Sequence, residues 1–126
     1  MAEKLEVPAS DLRFGYALQP AEGRFGYIAG VFSQRVEELA EETARHLNIS
    51  AAFHSVLLGH LMAHEIGHLL LGSGGHSSRG IMRARWAKED LEAAAQGGFG
   101  FTAKQGEQMR KQIRDRVRAE QPKTSD

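Results

Sequence analysis

A chain of 126 residues, 41% of them apolar and 25% charged, fits one small soluble globular domain and excludes a disordered or fibrous protein. Sixteen basic residues balance 16 acidic ones, so the total charge offers no general attraction to nucleic acid or to an anionic membrane. No cysteine is present, which excludes disulfides, thiolate metal sites and a cysteine nucleophile.

The balance hides an asymmetry. Residues 1–78 hold 5 Lys/Arg against 9 Asp/Glu, whereas residues 79–126 hold 11 against 7. Solvated helix faces account for such a split most simply. The first ten residues contain no apolar run of signal-peptide length. The expected location is therefore cytoplasmic if the chain is complete, and exported if a leader has been removed. The longest apolar stretch, residues 55–71, is interrupted by three His and one Glu and does not read as a membrane span.

Residues 12–18 and 25–32 are rich in aromatic and β-branched side chains and predict two short strands, joined as a hairpin through the turn-forming residues 19–23. At Ser33 the period changes. Val36, Leu39, Ala40, Ala44 and Leu47 mark one face of an amphipathic helix over 34–47, with Ser33 as its N-cap. His46 falls near its C-terminus, where the helix dipole favours a cation. Asn48 or Ser50 then caps a long helix over 51–71, apolar on nearly every side and so expected to be buried. Gly72, Ser73, Gly74 and Gly75 end it. A short helix follows over 87–95, and a capping-box pattern from Thr102 to Gln105 opens a last helix that runs to about residue 119. Residues 1–119 read as one domain, with 120–126 as a disordered tail.

The buried helix carries the chemistry. His64-Glu65-Ile66-Gly67-His68 is an HExxH motif, in which His at i and i+4 share one helical face and can converge on one zinc ion. Glu65 lies beside the ion's open position, where a carboxylate can take a proton from activated water and pass it to a leaving amine. The glycine turn can fold a third ligand back to the metal, and His76 lies just past it.

His64-Glu65-Ile66-Gly67-His68, the glycine turn, His76 and Met82 together resemble the zinc-binding consensus and Met-turn of the metzincin clan of zincin metallopeptidases. The stretch 31–86 is most similar to small bacterial members, with a matrixin-like His-Ser-Ser after the turn. The resemblance implies an α+β zincin-like fold: a small β-sheet, a long active-site helix and C-terminal helices. It implies Zn2+ held by His64, His68 and His76, Glu65 as general base, and Met82 as the floor beneath the imidazoles. The implied partner is a peptide or protein substrate lying extended along an edge strand, with residues 25–32 as the candidate; nucleic acid and membrane are not implied.

The chain departs from the clan in three respects. Seven residues, not five, separate the second and third His, with Gly72 fourth among them. Ala84 stands where some members have an oxyanion-stabilising Tyr, leaving Tyr16, Tyr27 and Arg83 as candidates. The N-terminal portion is also short for the clan. Arg83 and Arg85 follow the third ligand and are candidates for a wall of the substrate cleft, beside Trp86 as a core anchor. His60 is one turn before His64, but a straight helix cannot wrap three ligands around one ion, so packing is expected of it. Lys111, Arg114 and Arg118 form a basic face without aromatic interleaving, which does not read as a nucleic-acid site. Two alternatives compete with the leading reading. One is a gluzincin-type regulatory protease with Glu89 or Glu92 as third ligand, and the other is a zinc module without turnover.

Overall fold

The computed structural model describes residues 6–7, 9, 13–18, 26–48, 52–72 and 75–121. In chain order the elements are β1 (Glu6–Val7), β2 (Gly15–Ala17), β3 (Ala29–Val31), α1 (Ser33–Leu47), α2 (Phe53–Leu71), β4 (Trp86–Ala87), α3 (Lys88–Ala95) and α4 (Ala103–Glu120). This is an α+β arrangement, and among the described residues none of its helices is long and apolar enough to cross a membrane.

β2 and β3 pair antiparallel, with Gly15 opposite Val31 and Ala17 opposite Ala29. They are the two predicted strands cut down to three residues each. Glycine shortens them but also lets them close. A Cβ at Gly30 would lie 2.7 Å from the Tyr16 hydroxyl oxygen, so the Tyr16 ring occupies that space instead. The predicted turn at 19–23 lies outside the described residues, as does 122–126 of the predicted tail. β1 pairs antiparallel with β4, placing Val7 opposite Trp86. Two-residue strands leave no period in the sequence, and neither was expected.

α1 buries Val36, Ala40 and Thr43 on one stripe, as its pattern predicts. Its cap does not follow the prediction. Phe32 occupies the N-cap position without a side-chain hydrogen bond, and Ser33 is already helical. Asn48, expected as a cap for the next helix, instead closes α1 in the left-handed conformation (φ 52°), a position an Asn side chain tolerates. Ala52 is the N-cap of α2, and Ser50 lies outside the described residues.

α2 is the hub against which α1, α3, α4, β2 and β3 all pack. Its buried residues are Phe53, Leu57, Leu61, His64, Glu65 and Gly67. The stripe that is hydrocarbon for its first two turns thus becomes polar as it runs toward the C-terminus, with no change of face. The expectation that α2 is buried on all sides is corrected by a solvent-facing row, Ser55, Gly59, Met62 and Ile66, spaced four, three and four. Two of the four are large apolar side chains, each 45% exposed.

Trp86, Leu91, Ile81 and Met82 complete the core from the segment after the glycine turn. α4 is attached differently. Its only buried residue is Gln105, while its apolar residues Ile113 and Val117 stay about half exposed. Arg116 ties the helix down by donating to the carbonyls of Leu69 and Gly26, and its guanidinium sits 5.3 Å from the Tyr27 ring centroid.

Candidate metal centre

His64, His68 and His76 come together. Each offers a ring nitrogen, and these atoms all lie within 4.8 Å of one another. His64 and His68 stand on the same face of α2 with ring centroids 4.8 Å apart and planes nearly perpendicular. His76 arrives from the loop beyond Gly72, its ring centroid 4.7 Å from His68 and 5.6 Å from His64. Gly72 makes the return possible: at φ 87° it holds a conformation that side-chain-bearing residues rarely adopt. Its N–H still bonds the His68 carbonyl, so helical hydrogen bonding runs up to Gly72 itself.

Backbone carbonyls orient two of the rings. His64 Nδ1 lies 2.7 Å from the Ile81 carbonyl oxygen, and His68 Nδ1 lies 3.4 Å from that of Gly72. A carbonyl can only accept, so both Nδ1 atoms carry the proton and the lone pair of each neutral ring sits on Nε2, as in metal-binding histidines. Trp86 Nε1 donates to the same Ile81 carbonyl at 3.2 Å, and its ring packs edge-on to His64.

Burial tunes the charges. His64 is fully buried, and desolvation, reinforced by the neighbouring His68 and His76, lowers its pKa to about 4 against the opposing pull of the Ile81 hydrogen bond. Burial likewise lowers His68. Both rings are therefore held neutral at pH 7, the state in which imidazole ligates. The donor set, three imidazoles, two of them with carbonyl-fixed tautomers, and no thiolate, fits Zn2+.

Glu65 is 6% exposed and faces the β2–β3 pair; a Cβ on Gly15 would lie 3.1 Å from its Cγ. Among the described residues no donor reaches its carboxylate, and burial raises its pKa to about 7. With Ala29, Gly30, Val31, Met62 and Ile66 it lines a small cavity of about 80 Å³. A carboxyl group that titrates near neutrality at the wall of such a cavity can both accept and return a proton.

Met82 is fully buried, and its thioether lies directly against Gly67 on the histidine-bearing side of α2. A Cβ on Gly67 would collide with Met82 Sδ and approach Phe101 Cε1 to 3.0 Å. The second variable residue of the HExxH motif is thus glycine because the methionine occupies the space of its side chain.

Other predicted residues fall elsewhere. Arg83 forms a 2.6 Å ion pair with Asp90, whose carboxylate also accepts the Ala87 N–H at the start of α3. Arg85 is exposed. Of the oxyanion candidates, Tyr27 donates to Glu120 and Tyr16 packs on Phe32 with ring centroids 5.8 Å apart. His60 sets Nδ1 2.7 Å from the Val56 carbonyl oxygen and Nε2 3.2 Å from that of Phe99, and it stacks on the Phe99 ring, a packing role. Glu89 and Glu92 are exposed on α3, with Glu92 beside Lys88, and among the described residues no carboxylate joins the histidine cluster. Nothing in the sequence signals that the Ile81 carbonyl meets His64 or that Gln105 reaches Ser77, because these are a backbone group and a long-range hydrogen bond. No family model, no curated protein and no solved structure matches the chain.

Proposed function

We propose that the chain is a zinc-dependent metallopeptidase with a small zincin-like fold of metzincin type, hydrolysing peptide bonds in a peptide or protein substrate. The observation that carries the reading is the convergence of the His64, His68 and His76 ring nitrogens, with Glu65 buried next to the first of them. His64, His68 and His76 would hold a zinc ion there, which would supply Lewis acidity toward the scissile carbonyl and bring the pKa of a water in the site to roughly 7. Glu65 removes a proton from that water as its oxygen attacks the carbonyl carbon. The same carboxyl group then delivers the proton to the amine as the C–N bond breaks, so proton and charge balance without a further acid. Among the described residues β3 pairs only with β2, which leaves its other edge for an extended substrate, with the cavity beneath it to receive a side chain.

Glu65→Gln tests the reading. The amide keeps the volume and cannot accept the proton. Zinc content is expected to be unchanged while hydrolysis of an unfolded protein substrate falls about 10²–10⁴-fold, roughly 3–5 kcal/mol of barrier. Equal activity in wild type and variant would refute Glu65 as the base. No hydrolysis by the zinc-loaded wild type across varied substrates would leave a metal-binding module without turnover.

A further inference from the structure

Two of the three histidines ride on a rigid helix. The third sits on a loop two residues longer than the clan's spacing, and something must hold it. α4 buries one residue only, and that residue is a glutamine rather than a hydrocarbon. Gln105 is 7% exposed and both ends of its amide are used. Oε1 accepts the Thr102 N–H at 2.9 Å, which caps α4. Nε2 donates to Ser77 Oγ at 2.9 Å, 28 residues away and next to His76. Ser77 Oγ donates onward to the Arg79 carbonyl at 2.8 Å, and the Ser77 N–H donates to the Met82 carbonyl at 3.1 Å.

We propose that Gln105, acting through Ser77, is the positioning residue for the third histidine, so that α4 completes the metal site without touching it. This inference rests on the metal-binding reading of the histidine cluster. The physical basis is that a buried amide is costly unless its hydrogen bonds are made. Gln105 can make both only when residue 77 is in place, which fixes the backbone one residue from the ligand. The loop it fixes also contributes Ile81, whose carbonyl orients His64, and Ile81 is in turn held by its N–H to the Gly100 carbonyl at 2.9 Å. Groups that orient metal ligands commonly set affinity by about 10–100-fold.

The experiment is a double-mutant cycle on zinc affinity, by chelator competition with the full chain, with the visible spectrum of the Co2+-substituted protein as a second readout. Ser77→Ala removes the receiving hydroxyl and leaves the α4 cap intact. Gln105→Glu keeps the Oε1 acceptor of the cap and removes the Nε2 donor. Each is expected to weaken zinc about 10–100-fold in the wild-type background and to change the Co2+ band intensities, while in the His76→Ala background each changes affinity less than about twofold. Equal losses with and without His76 would show a general effect on the fold and overturn the proposal. So would zinc affinity and Co2+ spectra unchanged in both variants while His76→Ala weakens binding. A wild-type chain that takes up no stoichiometric metal overturns the metal reading itself, and this inference with it.

Discussion

Gly67→Ala sets two effects of opposite sign against each other at one atom. Gly67 lies in the interior of α2, where Ala is favoured over Gly by about 1 kcal/mol. On helix propensity alone the substitution stabilises. The added methyl, however, falls on Met82 Sδ and 3.0 Å from Phe101 Cε1. Met82 is flexible but fully buried, so its thioether cannot swing to solvent. Overpacking of this kind costs about 1–3 kcal/mol, and the tightness of the contact points to the upper half. We expect a net loss of about 1–2 kcal/mol, a fall in Tm of roughly 3–8 °C for a domain of this size. The sign should reverse when the obstacle is removed. Met82→Ala alone opens a cavity at a cost of about 2–5 kcal/mol, and adding Gly67→Ala to it should recover about 1 kcal/mol or more. The assay is urea unfolding of the metal-free protein followed by far-UV circular dichroism, across the four-member cycle. A Gly67→Ala variant more stable than wild type would refute the argument that Met82 dictates the glycine.

His64→Ala and His68→Ala should each abolish stoichiometric zinc and His76→Ala should weaken it strongly, whereas Glu89→Ala and Glu92→Ala should retain full zinc by elemental analysis; metal lost on removing either glutamate but kept without His76 would transfer the third-ligand role. The pH dependence of the metal-free protein should carry the signature of Glu65. Its folded pKa is raised from 4.5 to about 7, so its stabilising effect is full below pH 4.5 and is lost as pH rises through 7. Glu65→Gln should therefore be more stable than wild type at pH 8 by about 1–3 kcal/mol, with the advantage gone near pH 4.5; a variant less stable than wild type at pH 8 would contradict the burial of an unpartnered carboxyl group. His64 acts in the opposite sense, since its pKa is lowered from 6.5 to about 4, and stability should fall with acidification across that interval.

Local periodicity was enough to read the helices and to pair two of the clustered histidines. HExxH puts His64 and His68 on one side of α2 from spacing alone, but the helix is apolar nearly all round, and which side is buried emerged only from the fold. Glu65 follows from its place in the motif. The place of His76 depended on a glycine turn and a resemblance, and the structure brings its ring to the other two histidines. α+β character was legible from the aromatic and β-branched runs at 12–18 and 25–32, although glycine cut the strands to three residues. The caps of α1 and α2 were misread because Ser33, Asn48 and Ser50 all carry capping side chains, and the helix ends are chosen by packing rather than by the cap residue alone.

Only the tertiary structure could decide what surrounds the histidines. The Ile81 carbonyl that orients His64 belongs to a backbone group, which no side-chain pattern encodes. The reason for Gly67 is the position of a methionine fifteen residues later in the chain, and a glycine in a helix gives no hint of what replaces its side chain. Arg83 looked like part of a cleft from its nearness to His76, yet Asp90 seven residues on holds its guanidinium. Gln105 read as half of a capping box, correctly, but its other hydrogen bond crosses to Ser77. Spacing within one helix is a local property and survives in the sequence. Contacts between a helix and a loop depend on how the whole chain closes, and they leave no period behind.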